Sequence, residues 1–437
     1  MQSMAMDLVR AALAAVEPAA AVREHVRRDG DILTIDRRAY DLREIDHIYM
    51  VGAGKAAAPM AQAIEEIVGD RLADGVISVR YGQTVPLRRV RTIQAGHPIP
   101  DDRSVEAAQS ILDLCARAGR RDFILALISG GGSALMVAPI LGVTLADKRR
   151  LTNQLLRSGA TITEINAVRK HLSRVKGGGL VRAAAPAEVC GLILSDVVGS
   201  PIDTIASGPT APDQTSFADA RAALESHGLL GQVPSSIQAH LDAGIRGDVP
   251  ETPKTGDPIF QRVHNVVVGS NEIAARALAR RAQSRGLNTL LLTTFVEGEA
   301  REAGTFLGAV AREVAMTGTP VARPACVIVS GETTVTVRGR GRGGRAQEFA
   351  LAAASKIADL ADTHVIAFTT DGVDGPTDVA GAMVDGTTMA RAGQIGLSAS
   401  AALADNDSYT FFERLGDHIK TGPTNTNVAD VMFALVL

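Results

Sequence analysis

Short apolar runs alternate along most of the chain with longer segments in which apolar residues recur at helical spacing. This alternation is typical of α/β folds, in which helices pack against a sheet of mostly parallel strands. The runs that predict strands are residues 48–51, 76–79, 123–128, 189–194, 266–268, 289–292, 325–329, 334–337 and 365–369. Helical patterns follow many of these runs, for example at residues 55–67, 104–118, 271–285 and 301–317.

The length of the chain predicts two domains. At 437 residues it exceeds the size that one hydrophobic core usually serves. Residues 247–258 are rich in proline and charge and are the best linker candidate. We therefore predict a Rossmann-like domain with a mostly parallel sheet at residues 1–248 and a second α/β domain at residues 257–437. Most motifs follow predicted strands, where open parallel sheets bind ligands, so one active site in the interdomain cleft is expected.

Composition and charge argue against several classes of protein. The net charge of -3 and the pI near 6.3 give no global attraction to nucleic acid or to anionic membranes. Aromatic residues make up 3% of the chain, too few for a platform of stacked bases. No apolar run has the length of a membrane span, and the apolar patch at residues 11–16 is predicted to be a first helix rather than a signal peptide. Three scattered cysteines predict reduced thiols in a cytoplasmic protein.

Four glycine-rich segments favour the binding of an anion. They are residues 52–55, 129–133, 176–179 and 339–345. Glycine lets backbone N–H groups approach an oxyanion, a helix N-terminus adds partial positive charge, and arginine supplies paired donors. Four such segments in one chain predict an enzyme that handles phosphate groups.

The first segment, Gly52-Ala53-Gly54-Lys55, follows a predicted strand and fits the looser dinucleotide pattern G-x-G-x-x-A. It does not fit the Walker A spacing, and the acidic residue expected about 20 positions later is missing. Lys55 stands in the first turn of a predicted helix, where the helix dipole disfavours a cation, so an anion is expected nearby. The alternative is a tight strand-to-helix turn without a ligand.

Two further segments are candidates for substrate or phosphate binding. Ser129-Gly130-Gly131-Gly132-Ser133 offers a nest of N–H groups with a hydroxyl at each end, and we favour an oxyanion site over a flexible tip. Ser133 is not expected to be a nucleophile, because the pattern G-x-S-x-G is absent. Arg169 and Lys176 fall on roughly one face of a basic helix, for which a solvated surface is an equal alternative.

Acidic residues stand at the ends of several predicted strands. Asp196, Glu332, Asp371 and Asp374 are candidates for binding Mg²⁺, accepting a proton or contacting a substrate. For Asp196 a role as a helix cap or turn residue is an equal alternative. The nine histidines form no cluster with metal-ligand spacing, so a zinc site is not expected.

Taken together, these motifs resemble those of the glycerate 2-kinase family, whose C-terminal half is called the MOFRL domain. The resemblance covers nearly the whole chain. The matching runs are residues 51–56, 96–101, 129–133, 166–170, 194–197, 207–210, 331–335, 343–348, 370–375 and 421–424. One departure is Ala346, which stands where many relatives have asparagine and weakens any role of this side chain in substrate contact.

The resemblance implies ATP-dependent phosphorylation of D-glycerate at its 2-hydroxyl, giving 2-phosphoglycerate and ADP, with Mg²⁺ or another divalent cation. Lys55 and Arg345 are expected to stabilise the transferred phosphoryl group or the glycerate carboxylate. Asp196 is expected to bind the metal or to activate the hydroxyl. The other expected site residues are Glu332 for substrate or phosphate, and Asp371 and Asp374 for the metal or the nucleotide.

Two other functions remain open at this point. The turn at residues 52–57 and an older label in the family point to an NAD(P)H-dependent hydroxypyruvate reductase, although the missing acidic residue argues against it. The second is a non-catalytic sugar-phosphate sensor, which needs the glycine nests but not the carboxylates. The sequence also leaves open whether the protein forms a homodimer.

Overall fold

The computed structural model describes residues 2–437, which contain sixteen α-helices and fifteen strands. The helices are α1 (Gln2–Ala15), α2 (Pro18–His25), α3 (Ala57–Val68), α4 (Asp102–Ala116), α5 (Gly132–Leu135), α6 (Leu145–Ser158), α7 (Ile162–His171), α8 (Gly179–Ala184), α9 (Phe217–Ser226), α10 (Ser235–Arg246), α11 (Asn271–Ser284), α12 (Ala300–Thr317), α13 (Arg345–Ile357), α14 (Thr388–Gln394), α15 (Ala399–Ala404) and α16 (Ser408–Leu415). The strands are β1 (Val26–Asp29), β2 (Ile32–Ile35), β3 (Arg38–Asp41), β4 (Ile48–Ala53), β5 (Leu72–Arg80), β6 (Val90–Ala95), β7 (Phe123–Ser129), β8 (Glu188–Leu194), β9 (Val263–Gly269), β10 (Asn288–Val296), β11 (Ala325–Gly331), β12 (Thr363–Thr369), β13 (Gly381–Asp385), β14 (His418–Ile419) and β15 (Asp430–Val436).

The described residues form two compact units. We call residues 18–194 and 200–268 the parallel unit, and residues 2–17, 195–199 and 269–437 the mixed unit. Helix α1 belongs to the mixed unit, where it packs against α11. The proline-rich segment 247–258 lies inside the parallel unit, where the Thr252 hydroxyl donates to Asp213 at 2.9 Å.

The parallel unit is built on a six-stranded sheet in the order β6-β5-β4-β7-β8-β9. The pairings from β6 through β8 are all parallel, which confirms the prediction of a Rossmann-like unit. The chain proceeds outward in one direction from β4 to β6 and then in the other from β7 to β9. The carboxyl ends of β4 and β7 therefore flank the topological switch point, where sheets of this type bind ligands. A separate antiparallel sheet contains β1, β2 and β3.

The mixed unit has a six-stranded sheet in the order β10-β11-β15-β12-β13-β14. Only the pairing of β10 with β11 is parallel. The chain returns at its end to insert β15 antiparallel between β11 and β12, and β13 pairs antiparallel with β12 and with β14. The prediction of a strand at 334–337 is wrong. Thr334 makes one isolated bridge to Glu299, and Val337 is exposed.

Small residues let helices approach the sheets and one another closely. Every residue of β4 and of β7 is buried. In the mixed unit, α12 lies directly on α13, and a Cβ added at Gly304 would stand 2.1 Å from the Phe349 carbonyl oxygen. This packing fixes α13, whose first residue is Arg345, against α12.

The structure contains no helix, among the described residues, that is both long and apolar enough to span a membrane.

Candidate active site

The two glycine turns at the switch point of the parallel unit interlock through their backbones. The amide of Lys55 donates to the Gly130 carbonyl at 2.9 Å, and the amide of Ala56 donates to the Ser129 hydroxyl at 3.0 Å. The amide of Gly54 donates to a carbonyl of β5. Since the amides of residues 54–56 are bonded within the protein, the Lys55 side chain is the remaining candidate in this turn for binding an anion. Phosphate binding by Gly52 and Gly54 stays a prediction.

Gly54 is required where the two turns touch. Its φ is +143°, and an added Cβ would lie 2.0 Å from the Ser129 hydroxyl oxygen. We expect Gly54→Ala to lower the free energy of unfolding by about 2 kcal/mol or more, because backbone strain and a steric clash add together. Thermal unfolding measures the loss. Gly142→Ala is the matched control, since Gly142 also has a positive φ but nothing within 4 Å. Equal losses in both variants would show that the clash is unimportant.

Lys55 and His97 meet at Gly131. A Cβ added at Gly131 would lie 3.0 Å from the His97 ring and 3.4 Å from Cγ of Lys55. Burial, with Lys55 and Arg80 nearby, lowers the pKa of His97 to about 4. The imidazole is therefore neutral at physiological pH. It can exchange hydrogen bonds with a ligand without adding to the positive charge of Lys55.

The nest at residues 129–133 lies beside Lys176. The Lys176 ammonium donates to the Ser133 carbonyl at 2.9 Å. The Ser133 hydroxyl lies 2.8 Å from the Ser207 hydroxyl, which donates to the Asn166 side chain at 3.1 Å. In the short helix α5, the amides of Ala134 and Leu135 donate to the Gly131 carbonyl at 3.1 and 3.2 Å, so anion binding by the nest falls to the amides before them. The prediction that this nest binds an anion therefore remains chemically sound, with Ser129 serving as a structural acceptor.

A cavity of about 360 Å³ opens beside this nest. Its lining, all from the described part of the parallel unit, contains no acidic residue. The lining residues are His97, Pro98, Ile99, Pro100, Gly131, Ser133, Ala134, Val137, Lys148, Arg149, Thr152, Asn153, Leu156, Arg169 and Lys176. Arg169 and Lys176 thus line one cavity, but the prediction that they share a helix face is wrong, because α7 ends at His171.

Two lysines in this cavity are unusual because they are almost fully buried. The exposed fraction is 8% for Lys148 and 2% for Lys176. Burial and the nearby Arg169 lower the pKa of Lys148 to about 7. Burial also lowers the pKa of Lys176 well below its usual value, and Lys148 and Arg169 add to this effect. A bound anion would favour the charged form of both lysines, so their protonation is coupled to the binding of an anionic ligand.

In the mixed unit, Arg345 joins two carboxylates. It donates to Glu332 at 2.7 Å and to Asp430 at 3.0 Å. Asp430 begins β15 and is 1% exposed. Burial raises the pKa of Asp430 to about 8, although the Arg345 guanidinium opposes that rise. Asp430 was not among the predicted site residues.

The arginine- and glycine-rich run before α13 is not a phosphate nest at residues 339–342, contrary to the prediction. The amides of Arg338 and Gly339 donate to the Asn406 side chain at 2.8 and 3.0 Å. The amides of Arg340 and Arg342 donate to the carboxylates of Asp405 and Asp407. Residues 405–407 thus occupy the amides that would have met a phosphate.

Asp374 caps the start of α13. Its carboxylate accepts from the amides of Ala346 and Gln347 at 3.1 and 2.9 Å, and from the Gln347 side chain at 2.9 Å. A carboxylate over a helix N-terminus is favourable, and it explains why Asp374 is buried. Asp371 is half-buried and accepts from the Val373 amide at 3.1 Å. Among residues 2–437, no group of three His, Cys, Asp or Glu side chains converges on a metal position.

The structure therefore brings the predicted residues together in two sets. Lys55, the 129–133 nest, Arg169 and Lys176 belong to the parallel unit, while Arg345, Glu332 and Asp374 belong to the mixed unit. Asp196 follows β8, is half-buried and belongs to the mixed unit. Whether all of them serve one substrate stays a prediction. The sequence reasoning missed His97, Lys148 and Asp430, although His97 falls within the family motif at residues 96–101.

Comparison with known proteins identifies the family of this chain. Residues 4–242 match a domain of unknown function, DUF4147, and residues 325–430 match the MOFRL family. The whole chain is 42% identical over 436 residues to the glycerate 2-kinase of Pyrococcus horikoshii, and the match covers 97% of that protein. The chain belongs to the glycerate 2-kinase family. A D-glycerate 2-kinase of Thermotoga maritima is 37% identical over all of this chain and 99% of its own length.

Solved structures and a differently named relative complete the comparison. A crystal structure of a glycerate kinase from Thermotoga maritima superposes with a TM-score of 0.89 at 36% identity, covering 100% of this chain and 99% of that one. A crystal structure of a Pyrococcus horikoshii protein gives a TM-score of 0.90 at 42% identity and covers 98% of that chain. A relative from Agrobacterium vitis, 43% identical over 89% of this chain and 86% of its own length, carries a provisional name as a hydroxypyruvate reductase.

Proposed function

We propose that the protein transfers the γ-phosphoryl group of ATP to the 2-hydroxyl of D-glycerate and releases 2-phosphoglycerate and ADP. The observation that carries this proposal is the full-length similarity to proteins named glycerate 2-kinase. The cation-lined cavity at the switch point supports it chemically, because phosphoryl transfer depends mainly on positioning and on neutralising negative charge.

The reaction assigns a distinct task to each candidate residue. The 2-hydroxyl oxygen of glycerate attacks the γ-phosphorus, the bond from that phosphorus to the β–γ bridging oxygen breaks, and the hydroxyl proton passes to a base. We assign the base to Asp196. Lys55 stabilises negative charge on the transferred group, and Arg345, held by Glu332 and Asp430, stabilises that group or the glycerate carboxylate.

A divalent cation fits the available carboxylates only in part. Mg²⁺ in kinases is usually held by one or two carboxylates together with substrate phosphates, so a cage of three protein ligands is not required. Asp371 would hold the ion, with Asp196 as the alternative ligand if it does not serve as the base, whereas both oxygens of Asp374 already accept hydrogen bonds from α13. When bound, Mg²⁺ would neutralise phosphate charge.

Phosphorus NMR of the product tests the proposal directly. Incubation of the protein with ATP, Mg²⁺ and D-glycerate is expected to give a phosphomonoester whose phosphorus couples to one proton, because carbon 2 carries one hydrogen. Transfer to the 3-hydroxyl would instead give coupling to two protons. Absence of any phosphoglycerate would reject the proposal.

A separate assay of the same protein tests the reductase alternative. Hydroxypyruvate with NADH or NADPH is expected to show no oxidation of the cofactor. The bonded amides of residues 54–56 support this expectation, because a dinucleotide pyrophosphate needs such amides free.

We also propose a cytoplasmic, reducing location. The three cysteines, Cys115, Cys190 and Cys326, are buried and unpaired. Thiols in this state are typical of proteins kept under reducing conditions.

A further inference from the structure

The cavity in the parallel unit is lined by two chemically different sets of side chains. We call Lys148, Arg169 and Lys176 the basic set. The apolar set consists of Ile99, Pro100, Val137 and Leu156. A ligand that fills this cavity must therefore combine a highly charged part with an apolar part.

The basic set has no carboxylate partner within the parallel unit. The Lys148 ammonium donates to the Leu172 carbonyl at 2.8 Å, and the Lys176 ammonium donates to the Ser133 carbonyl at 2.9 Å. Burial alone accounts for the lowered pKa of Arg169. Buried cations without counter-charges destabilise a fold, so their presence here requires another explanation.

A neighbouring lysine shows what a structural pair looks like in the same segment. Lys170 is 2% exposed, and its ammonium nitrogen lies 3.2 Å from the Asp213 carboxylate and 3.4 Å from the Asp203 carboxylate. The chain thus supplies carboxylates to this buried cation. The missing carboxylates around the basic set indicate that the counter-charge comes from a ligand.

The apolar set and the cavity size indicate what else the ligand carries. Leu156 and Ile99 keep 59% and 65% of their surface exposed, and both line the cavity. The volume of about 360 Å³ lies within the range of about 300–1,000 Å³ for cofactor and drug-sized ligands, and glycerate alone would fill only a small part of it. The polar side chains of Thr152 and Asn153 also line it and can bond to the edge of a base.

We propose that this cavity is the nucleotide site, with the triphosphate of ATP on the basic set and the adenine against the apolar set. The parallel unit then carries the nucleotide. This assignment rests on the proposed kinase function. It also gives a reason for the absence of acidic lining residues, since a carboxylate there would repel a polyanion.

Binding measurements with three probes test each part of the site. The probes are a non-hydrolysable β,γ-imido analogue of ATP, inorganic tripolyphosphate and D-glycerate, each titrated by calorimetry into the full-length protein. We expect Arg169→Gln to weaken both the analogue and tripolyphosphate about tenfold or more, because each loses a charged hydrogen bond. We expect Leu156→Ala to weaken the analogue about fivefold and to leave tripolyphosphate within about twofold, because only the base meets the leucine.

The matched control is Arg157→Gln, which removes an exposed arginine at the end of the same helix as Leu156. It is expected to leave all three affinities unchanged. Two results would overturn the nucleotide site: unchanged analogue affinity in both test variants, or a loss of D-glycerate binding alone. A wild-type protein that binds the analogue as expected but forms no phosphoglycerate would reject the kinase proposal and keep the nucleotide site.

Discussion

Replacing Lys55 by methionine is expected to lower kcat by about two to three orders of magnitude while leaving the fold intact. Methionine keeps an apolar stem of similar length against Gly131, and it removes the one cation of the β4 turn. Because the backbone amides of that turn are already bonded within the protein, no other group of the turn can replace the charge. Coupled detection of ADP with D-glycerate measures the loss.

Titration of His97 tests whether the Lys55 ammonium lies beside that ring, as in the structure. Lys55 helps to lower the pKa of His97 to about 4, after burial. The His97 ring is therefore expected to titrate at a higher pH in the Lys55→Met variant, as followed by NMR. Lys254→Met is the control, since Lys254 belongs to the same unit but not to the cavity lining. Near-normal turnover in Lys55→Met would remove Lys55 from the mechanism.

Replacing Arg345 by methionine is expected to abolish turnover and also to destabilise the protein by about 3–5 kcal/mol. Arg345 is the cation that contacts the buried carboxylate of Asp430, at 2.6 Å from its guanidinium Nε. Burial already raises the pKa of Asp430 to about 8, and loss of Arg345 removes the partner that opposes this rise, so the carboxylate form becomes unstable in the fold. Chemical denaturation and the ADP assay measure the two effects separately.

The double variant Arg345→Met/Asp430→Asn separates stability from chemistry. We expect it to recover most of the lost stability, because no buried charge is left unpaired, and to recover no activity. Recovery of turnover would show that Arg345 acts only by holding Asp430.

The stability of the Arg345→Met variant is expected to depend on pH because of the Asp430 carboxylate. Asp430 already has its pKa raised to about 8 in the folded protein, and loss of Arg345 raises that pKa further. Between the ordinary carboxyl pKa and this raised value, the folded state binds one proton more than the unfolded state. The stability of Arg345→Met should therefore rise as the pH falls through this window. A flat profile relative to the double variant would contradict the assignment.

Local patterns were enough to predict the parallel sheet. The runs at 48–51, 123–128 and 189–194 became β4, β7 and β8 because each is apolar throughout and is followed by a turn or a helical segment. The prediction of a strand at 334–337 was wrong because an alternation of apolar residues cannot show whether a neighbouring strand is available for pairing. In the structure the adjacent backbone amides are taken by Asn406, about 70 residues away in sequence.

The candidate site was predictable where a residue's neighbours in sequence define its role. Lys55 and the nest at 129–133 follow strands whose carboxyl ends meet at the switch point, so their proximity follows from strand order. Asp430 could not be found in this way. It reaches Arg345 across 85 positions because β15 returns between β11 and β12.

By itself, then, the sequence determined the succession of strands, glycine turns and helices, and with it the family, because these depend on spacing between near neighbours. Only the tertiary structure decided which charges are paired. It gave Lys170 and Arg345 carboxylate partners, whereas the parallel unit provides none for Lys148, Arg169 and Lys176. The physical reason is that desolvation and ion pairing depend on distances between segments far apart in the chain, which no local pattern encodes.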